Sequence, residues 1–199
     1  MDDNLYPITD KLLTREDRQG MTKQNAKVVW FCGMSGSGKS TLAIALEKQL
    51  HGRGKLSYVL DGDNVRTGLN RGLGFSDEDR EENIRRIAEV SKLFVDSGVI
   101  CINSFITPKE DLREMARSII GGDDLIEIYV KASFEACQER DVKGLYAKAK
   151  EGLVPNFTGK DSGFEEPSNP DLVIDTEQES IEESLQKVLT FLLPKVESR

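Results

Sequence analysis

Short apolar runs alternate along this chain with longer stretches in which apolar residues recur at helical spacing. The runs at 28–32, 57–60, 99–104, 126–130 and 172–174 predict strands. The stretches at 39–52, 77–97, 108–119, 133–139 and 178–193 predict helices. Strand and helix in alternation imply βαβ units, hence the α/β class: a parallel sheet with helices on both faces. The helix at 77–97 carries the fullest set of signals. Ser76 is a natural N-cap with Asp79 three residues on, a variant of the capping box. Ile84, Ile87, Ala88, Ser91, Phe94 and Val95 make its buried stripe, and Gly98 can end it in a left-handed conformation. Residues 1–25 lack such patterning. They predict an extended N-terminal arm with one short helix near 14–20, followed by a single domain over 26–199.

Composition narrows the picture. At 199 residues, one domain with a sizeable core is expected. The formal net charge of −8 argues against nucleic acid as a partner, which usually needs a basic face. An anionic substrate must then be met by a local cluster of cations. No apolar stretch approaches a membrane span, and the acidic start Met1-Asp2-Asp3-Asn4 is unlike a secretory leader. Cys32, Cys101 and Cys137 form an odd set without metal-ligand spacing, and His51 is the one histidine. A reduced, cytoplasmic protein with no membrane attachment is expected.

Between the first predicted strand and helix stands Gly33-Met34-Ser35-Gly36-Ser37-Gly38-Lys39-Ser40, followed by Thr41. This is the phosphate-binding loop G-x-x-x-x-G-K-[ST], in the strand–loop–helix context it requires. Glycines let backbone N–H groups turn inward around phosphate oxygens, and the helix start adds its orphan donors. Lys39 is expected to reach the β- and γ-phosphates of a nucleoside triphosphate, and the Ser40 hydroxyl to ligate Mg²⁺. The bland alternative is a glycine-rich turn.

Asp61 and Asp63 sit two residues apart at the end of the second predicted strand, with Arg66 just beyond. In a doubly wound sheet that end points at the same crevice as the phosphate loop. Phosphoryl transfer needs a group to orient the acceptor hydroxyl and ligands for the metal, and two carboxylates can divide those tasks. By itself the segment also reads as an Asp-Gly turn. Arg80 and Asn83 share a helix face, and Phe75 precedes the cap. Cation, amide and ring suit an anionic nucleotide, but also fit a polar first turn with a hydrophobic staple. The segment 140–166 is basic, punctuated by glycine and carries Tyr146, Phe157 and Phe164. It predicts a mobile lid over the phosphates; a solvated helix and loop is the alternative.

Taken together, these motifs resemble the adenylylsulfate kinase family from about residue 28 to 176. The resemblance runs through the loop at 33–41 and Asp61-Gly62-Asp63-Asn64-Val65-Arg66 with Gly68-Leu69-Asn70. It continues in Leu73-Gly74-Phe75-Ser76 with Asp79 to Arg86, and in Ser104-Phe105-Ile106-Thr107-Pro108. Arg140-Asp141-Val142-Lys143-Gly144-Leu145-Tyr146 and Asn156-Phe157-Thr158-Gly159 complete it. The resemblance implies a P-loop nucleoside-triphosphate-hydrolase-like fold and the reaction ATP + adenylylsulfate → ADP + 3′-phosphoadenylylsulfate, within sulfate assimilation. On it, residues 33–41 and Arg140 would hold ATP, and Ser40 with Asp61 would hold Mg²⁺. Asp63 would orient or deprotonate the ribose 3′-hydroxyl, with Lys39 and Asp61 assisting. Arg66, Asn70, Arg80 and Asn83 match acceptor-binding positions, as do Ile106, Thr107 and Lys143. Phe75 and Phe157 match the pair that sandwiches the acceptor adenine. A homodimer and a functional link to ATP sulfurylase also follow from the resemblance. Many relatives are fused to a sulfurylase domain; at 199 residues none is expected here.

Two positions depart from the family pattern. Thr107 stands where the family usually has a serine assigned as a phosphorylated intermediate. Its hydroxyl keeps that role open, but direct in-line transfer is favoured, because positioning and charge stabilisation already reside in the loop and metal. Thr67 stands where many members carry histidine. The rival readings are another small-molecule P-loop kinase, a GTPase switch and an inactive partner subunit. The first would not need Phe75 and Phe157 beside Arg80 and Asn83. The second needs an Asn-Lys-x-Asp run that the sequence lacks, and intact Lys39, Ser40, Asp61 and Asp63 argue against the third.

Overall fold

The apolar runs pair side by side, all parallel, in the computed structural model, which describes residues 4–153, 158 and 163–198. The strands are β1 (Val28–Cys32), β2 (Ser57–Asp61), β3 (Ile100–Ser104), β4 (Leu125–Lys131) and β5 (Leu172–Asp175). Among the described residues they form one sheet in the order β2-β3-β1-β4-β5. The helices are α1 (Arg15–Thr22), α2 (Lys39–Gly52), α3 (Gly62–Thr67), α4 (Asp77–Asp96), α5 (Glu110–Ile120), α6 (Phe134–Arg140), α7 (Leu145–Lys150) and α8 (Ile181–Val196). None of them is long and apolar enough to cross a membrane.

Central β1 is buried at every position, as a parallel strand covered on both faces must be. Its side chains alternate between two cores. Val28, Trp30 and Cys32 pack with Ile84, Ile87 and Ala88 of α4 and Leu112, Ala116 and Ile120 of α5. Val29 and Phe31 pack with Leu42 and Leu46 of α2 and Val188 and Leu192 of α8. The register sets Ser104 of β3 beside both Phe31 of β1 and Asp61 of β2. The loop after β1 and the carboxylates after β2 therefore open on one edge of the sheet.

The helix α4 follows its expected start: the Ser76 hydroxyl accepts the Asp79 amide at 3.2 Å. The other half of the capping box is diverted, because the Asp79 carboxylate takes the Gly74 amide at 2.9 Å and ties down the preceding loop. Phe94, at the margin of the expected stripe, is half-buried: it packs against the same core and stacks on Tyr58 with ring centres 5.3 Å apart. Helix α8 starts later than its periodicity suggests, at a Ser180–Glu183 capping box, and runs on through Pro194. Helix α3 and helix α7 are short elements that the sequence pattern does not predict.

Residues 15–25 close the opposite edge of the sheet. Arg15 grips both carboxylate oxygens of Asp124 at 2.6 and 2.9 Å and donates to Ala26 O at 2.7 Å. The fully buried Gln24 amide donates to Leu56 O and Gly98 O and accepts the Leu56 amide. Leu56 precedes β2 and Gly98 precedes β3; Leu56 O also takes the Ile100 amide, so one buried side chain adds bonds to backbone groups where these two strands begin. Gln24 also bridges antiparallel to Glu197.

Candidate active site

The C-terminal ends of β1, β2 and β3, residues of the 140–146 stretch and Thr158 surround a cavity of about 680 Å³. Its floor is the phosphate loop. Gly33 takes φ 146°, and a Cβ there would lie 2.4 Å from Val130 O on β4, so no larger residue fits without displacing the strand. Gly33 N donates to Ile106 O at 3.2 Å, pinning the loop to the segment after β3. Lys39 opens α2. It is 7% exposed and its Nζ donates to Met34 O at 2.6 Å. Burial, ahead of every charge nearby, lowers the Lys39 ammonium to about 8. Ser40 Oγ donates to Asp61 Oδ2 at 2.7 Å and lies 3.1 Å from Ser104 Oγ.

Asp61 caps α3 by accepting the Asp63 amide with Oδ1 at 3.1 Å, which fixes its carboxylate against the Asp63 backbone. Asp63 Oδ2 pairs with Lys143 Nζ, reached from the turn between α6 and α7. A cation from the α6–α7 turn thus sits on the carboxylate expected to handle the acceptor hydroxyl.

Arginine and phenylalanine line the other half of the cavity. Arg66 donates to Leu73 O and Gly74 O at 3.0 and 2.8 Å, with its guanidinium 4.4 Å from the centre of the Phe75 ring. Arg80 donates to Phe75 O at 3.1 Å and to Thr158 Oγ1 at 2.7 Å. Burial, then the charge of Arg80, lowers the pKa of Arg66. Two half-buried cations facing one another mark a subsite that favours an anion. Asn83 lines the cavity, and its Oδ1 accepts from Asn70 Nδ2 at 3.0 Å. That bond leaves the Asn83 amino group as its remaining polar end.

The structure gathers Ser35 to Thr41, Asp61, Asp63 and Arg66 into one lining, together with Phe75, Arg80 and Asn83. Ile106, Thr107, Arg140 and Lys143 complete it. Gly33, Met34 and Asn70 stand behind the wall. Asn70 is fully buried and reaches the cavity only through Asn83. Phe157 lies outside the described residues. Thr107 is 1% exposed, with φ 45° and its Oγ1 accepting from Trp30 Nε1 at 2.9 Å.

Sequence reasoning assigned Arg140 to ATP and missed it, with Thr176 and Tyr146, as a side support of the loop. Arg140 donates to Gly36 O and to the hydroxyl and carbonyl of Thr176, while Thr176 Oγ1 donates to Ser37 O at 3.0 Å. Tyr146 OH donates to Ser35 O at 2.7 Å. Thr176 follows β5, so its place at the end of a parallel strand was the available signal. Tyr146 was visible only as a lid aromatic.

With the geometry in place, the chain can be set beside known proteins. The family described as adenylylsulphate kinase matches residues 25–175. An adenylyl-sulfate kinase of Bacteroides thetaiotaomicron is 56% identical over 196 residues, covering 98% of each chain. One from Oceanobacillus iheyensis is 55% identical over 181 residues, 91% of each. The solved Mycobacterium tuberculosis APS kinase CysC, in complex with AMPPNP and APS, superposes with a TM-score of 0.81 at 44% identity, covering 85% of this chain and 98% of that one. A Sinorhizobium meliloti gluconokinase, at 17% identity and a TM-score of 0.58, shares the fold alone. A phosphate loop, paired carboxylates and an arginine-lined half in one cavity, within a match over nearly the whole chain, make this protein a member of the adenylylsulphate kinase family.

Proposed function

We propose that this chain transfers the γ-phosphoryl group of ATP directly to the ribose 3′-hydroxyl of adenylylsulfate, giving ADP and 3′-phosphoadenylylsulfate. The observation that carries the reading is one cavity with two unlike halves: the phosphate loop on one side, Arg66, Phe75, Arg80 and Asn83 on the other, and Asp61 and Asp63 in the same lining. The loop amides and Lys39 hold the triphosphate. The arginines and the Asn83 amino group meet the acceptor's anionic end, and Phe75 offers its ring to the base. Asp63 orients the hydroxyl and takes its proton, steadied by Lys143. Tyr146, Arg140 and Thr176 keep the loop in shape from the side.

The residues present fit Mg²⁺. Ser40 Oγ and the Asp61 carboxylate are hard oxygens 2.7 Å apart, and this ion takes few protein ligands beside water and phosphate. When bound it neutralises charge developing on the phosphoryl oxygens. The Thr107 hydroxyl is buried and engaged by Trp30, which supports direct transfer over a phosphothreonine relay.

We further infer a cytoplasmic homodimer with a functional link to ATP sulfurylase. The dimer is supported by Leu5, Tyr6, Leu12 and Leu13, which are exposed. The Thiobacillus denitrificans APS kinase, 30% identical, is hexameric. The decisive experiment is ADP release from Mg·ATP with adenylylsulfate, gluconate, AMP or no acceptor. Release dependent on adenylylsulfate is expected; a preference for gluconate or AMP rejects the acceptor.

A further inference from the structure

Arg113 of α5 plays no part in the chemistry above, yet its guanidinium is 2% exposed. Its Nε and NH2 pair with Glu110 Oε2, and Nε lies 3.5 Å from Glu127 Oε1, whose side chain is 9% exposed. NH1 donates to Thr107 O at 2.8 Å. A buried charge is no better for stability than a well-packed apolar side chain, so its presence calls for a specific task. The task is visible at Thr107. A β-branched residue at φ 45° is strained and persists only where its surroundings over-determine it. Two groups do so here, with Trp30 holding the hydroxyl and Arg113 the carbonyl.

The held segment is the wall of the cavity. Phe105 N donates to Phe31 O and Ile106 O accepts from Gly33 N, so one side of residues 105–107 is pinned to β1 and the phosphate loop. Arg113 pins the other. The chain returning from the lid is fastened to the same place. Glu165 N donates to Pro108 O, Glu110 N donates to Glu165 Oε2, and Ser168 Oγ donates to Glu110 Oε1. Glu110 thus joins Arg113 to the root of the lid.

We propose that Arg113 is a positioning residue for the acceptor: it holds Thr107 in its left-handed conformation and so fixes the Ile106–Thr107 wall against which adenylylsulfate sits. The assignment rests on the acceptor named above. Arg113 itself touches neither Lys39 nor a residue of the loop at 33–40, and its segment meets the loop through the Gly33 N–Ile106 O bond, so its loss should fall mainly on the acceptor.

The test is initial-rate kinetics of the full chain with each substrate varied, beside thermal unfolding, for wild type, Arg113→Lys and Trp30→Phe. Lysine keeps a cation near Glu110 and Glu127 but cannot fork to Thr107 O as well. For Arg113→Lys the adenylylsulfate KM should rise about tenfold, with the ATP KM changed less than about twofold. Trp30→Phe removes the other hold without disturbing a buried charge, and should raise the acceptor KM about threefold in the same sense. An unchanged acceptor KM, or both KM values rising together as in general loosening, overturns the proposal. If Arg113→Lys does not fold, Trp30→Phe decides by the same criterion. A wild type without adenylylsulfate-dependent turnover removes the acceptor reading and this proposal with it; an active wild type whose variants keep its KM ratio removes this proposal alone.

Discussion

Gly33→Ala tests whether the phosphate loop is fixed by contact with the sheet. The added Cβ would sit 2.4 Å from Val130 O and 2.9 Å from Ser37 Oγ. Ordinary contact begins near 3.4 Å, so about 1 Å must be found. It cannot come from a flexible side chain, because Val130 is strand backbone paired with Ile174 of β5. Overpacking of this kind costs about 1–3 kcal/mol. The backbone at φ 146° adds about 1–2 kcal/mol for any residue with a Cβ. A total near 3 kcal/mol corresponds to a fall in Tm of about 6–12 °C for a chain of this size. Gly20→Ala is the matched control. Gly20 lies inside α1 with nothing within 4 Å of its Cβ position, so alanine there should stabilise by about 0.5–1 kcal/mol. Thermal unfolding of both variants, with the ATP KM of each, gives the answer. Equal melting temperatures, or a Gly33 variant with wild-type ATP KM, would refute the argument that β4 shapes the loop.

Further predictions concern charge and the lid. A lysine depressed to about 8 from its ordinary 10.5 is mostly charged at pH 7 and mostly neutral at pH 9 in the free protein. The folded state then binds fewer protons than the unfolded one between those values, so the cost to stability is fully present below about 8 and fades as pH rises to 10.5. Triphosphate favours the charged form, so ATP binding should take up a proton at pH 9 and weaken by up to about tenfold per pH unit above 8; calorimetry at pH 9 in two buffers of unlike ionisation heat checks this, and no buffer dependence rejects it. Tyr146→Phe keeps the ring against Phe134 but deletes the bond to Ser35 O, and should cost about 1 kcal/mol while raising the ATP KM. An unmoved KM would mean that α7 does not support the loop. Asp63→Ala should lower kcat by about 10²–10⁴ with little change in ATP KM, and wild-type turnover would take Asp63 out of the mechanism.

The parts of this molecule written in local pattern were legible before any coordinates. Residues 28–32 form an unbroken apolar run because a central parallel strand is buried on both faces, and the glycine–lysine spacing after it can be read one residue at a time. Asp61, Arg66, Arg80 and Asn83 could be placed near one cavity because strand ends and helix faces converge by rule in this architecture. What stayed hidden depends on pairing across the chain. The Trp30–Thr107 bond spans 77 residues, and the Arg113–Thr107–Glu127 cluster joins three parts of the chain through the Thr107 carbonyl and two charged side chains that no local pattern pairs. Asn70 was grouped with the acceptor contacts because a motif records proximity in sequence, not which of two amides faces inward. Helix α3 escaped because six residues opening Gly-Asp look like a turn until Asp61 is seen to cap them.

The antiparallel bridge between Gln24 and Glu197 has a practical meaning for how this protein is joined to others. Asn25 N donates to Val196 O and Ser198 Oγ to Lys23 O, so the folded body is entered and left at a single corner, on the edge of the sheet away from the cavity. Anything attached at either end of the body pivots about that corner and leaves the nucleotide cleft open. A link made between the 23–25 and 196–198 stretches, with new ends opened in the 121–124 loop, would keep the corner's own bonds and disturb those that Asp123 and Asp124 make to Arg15 and Lys27, which makes circular permutation a way to separate what holds the body together from what works in the cleft.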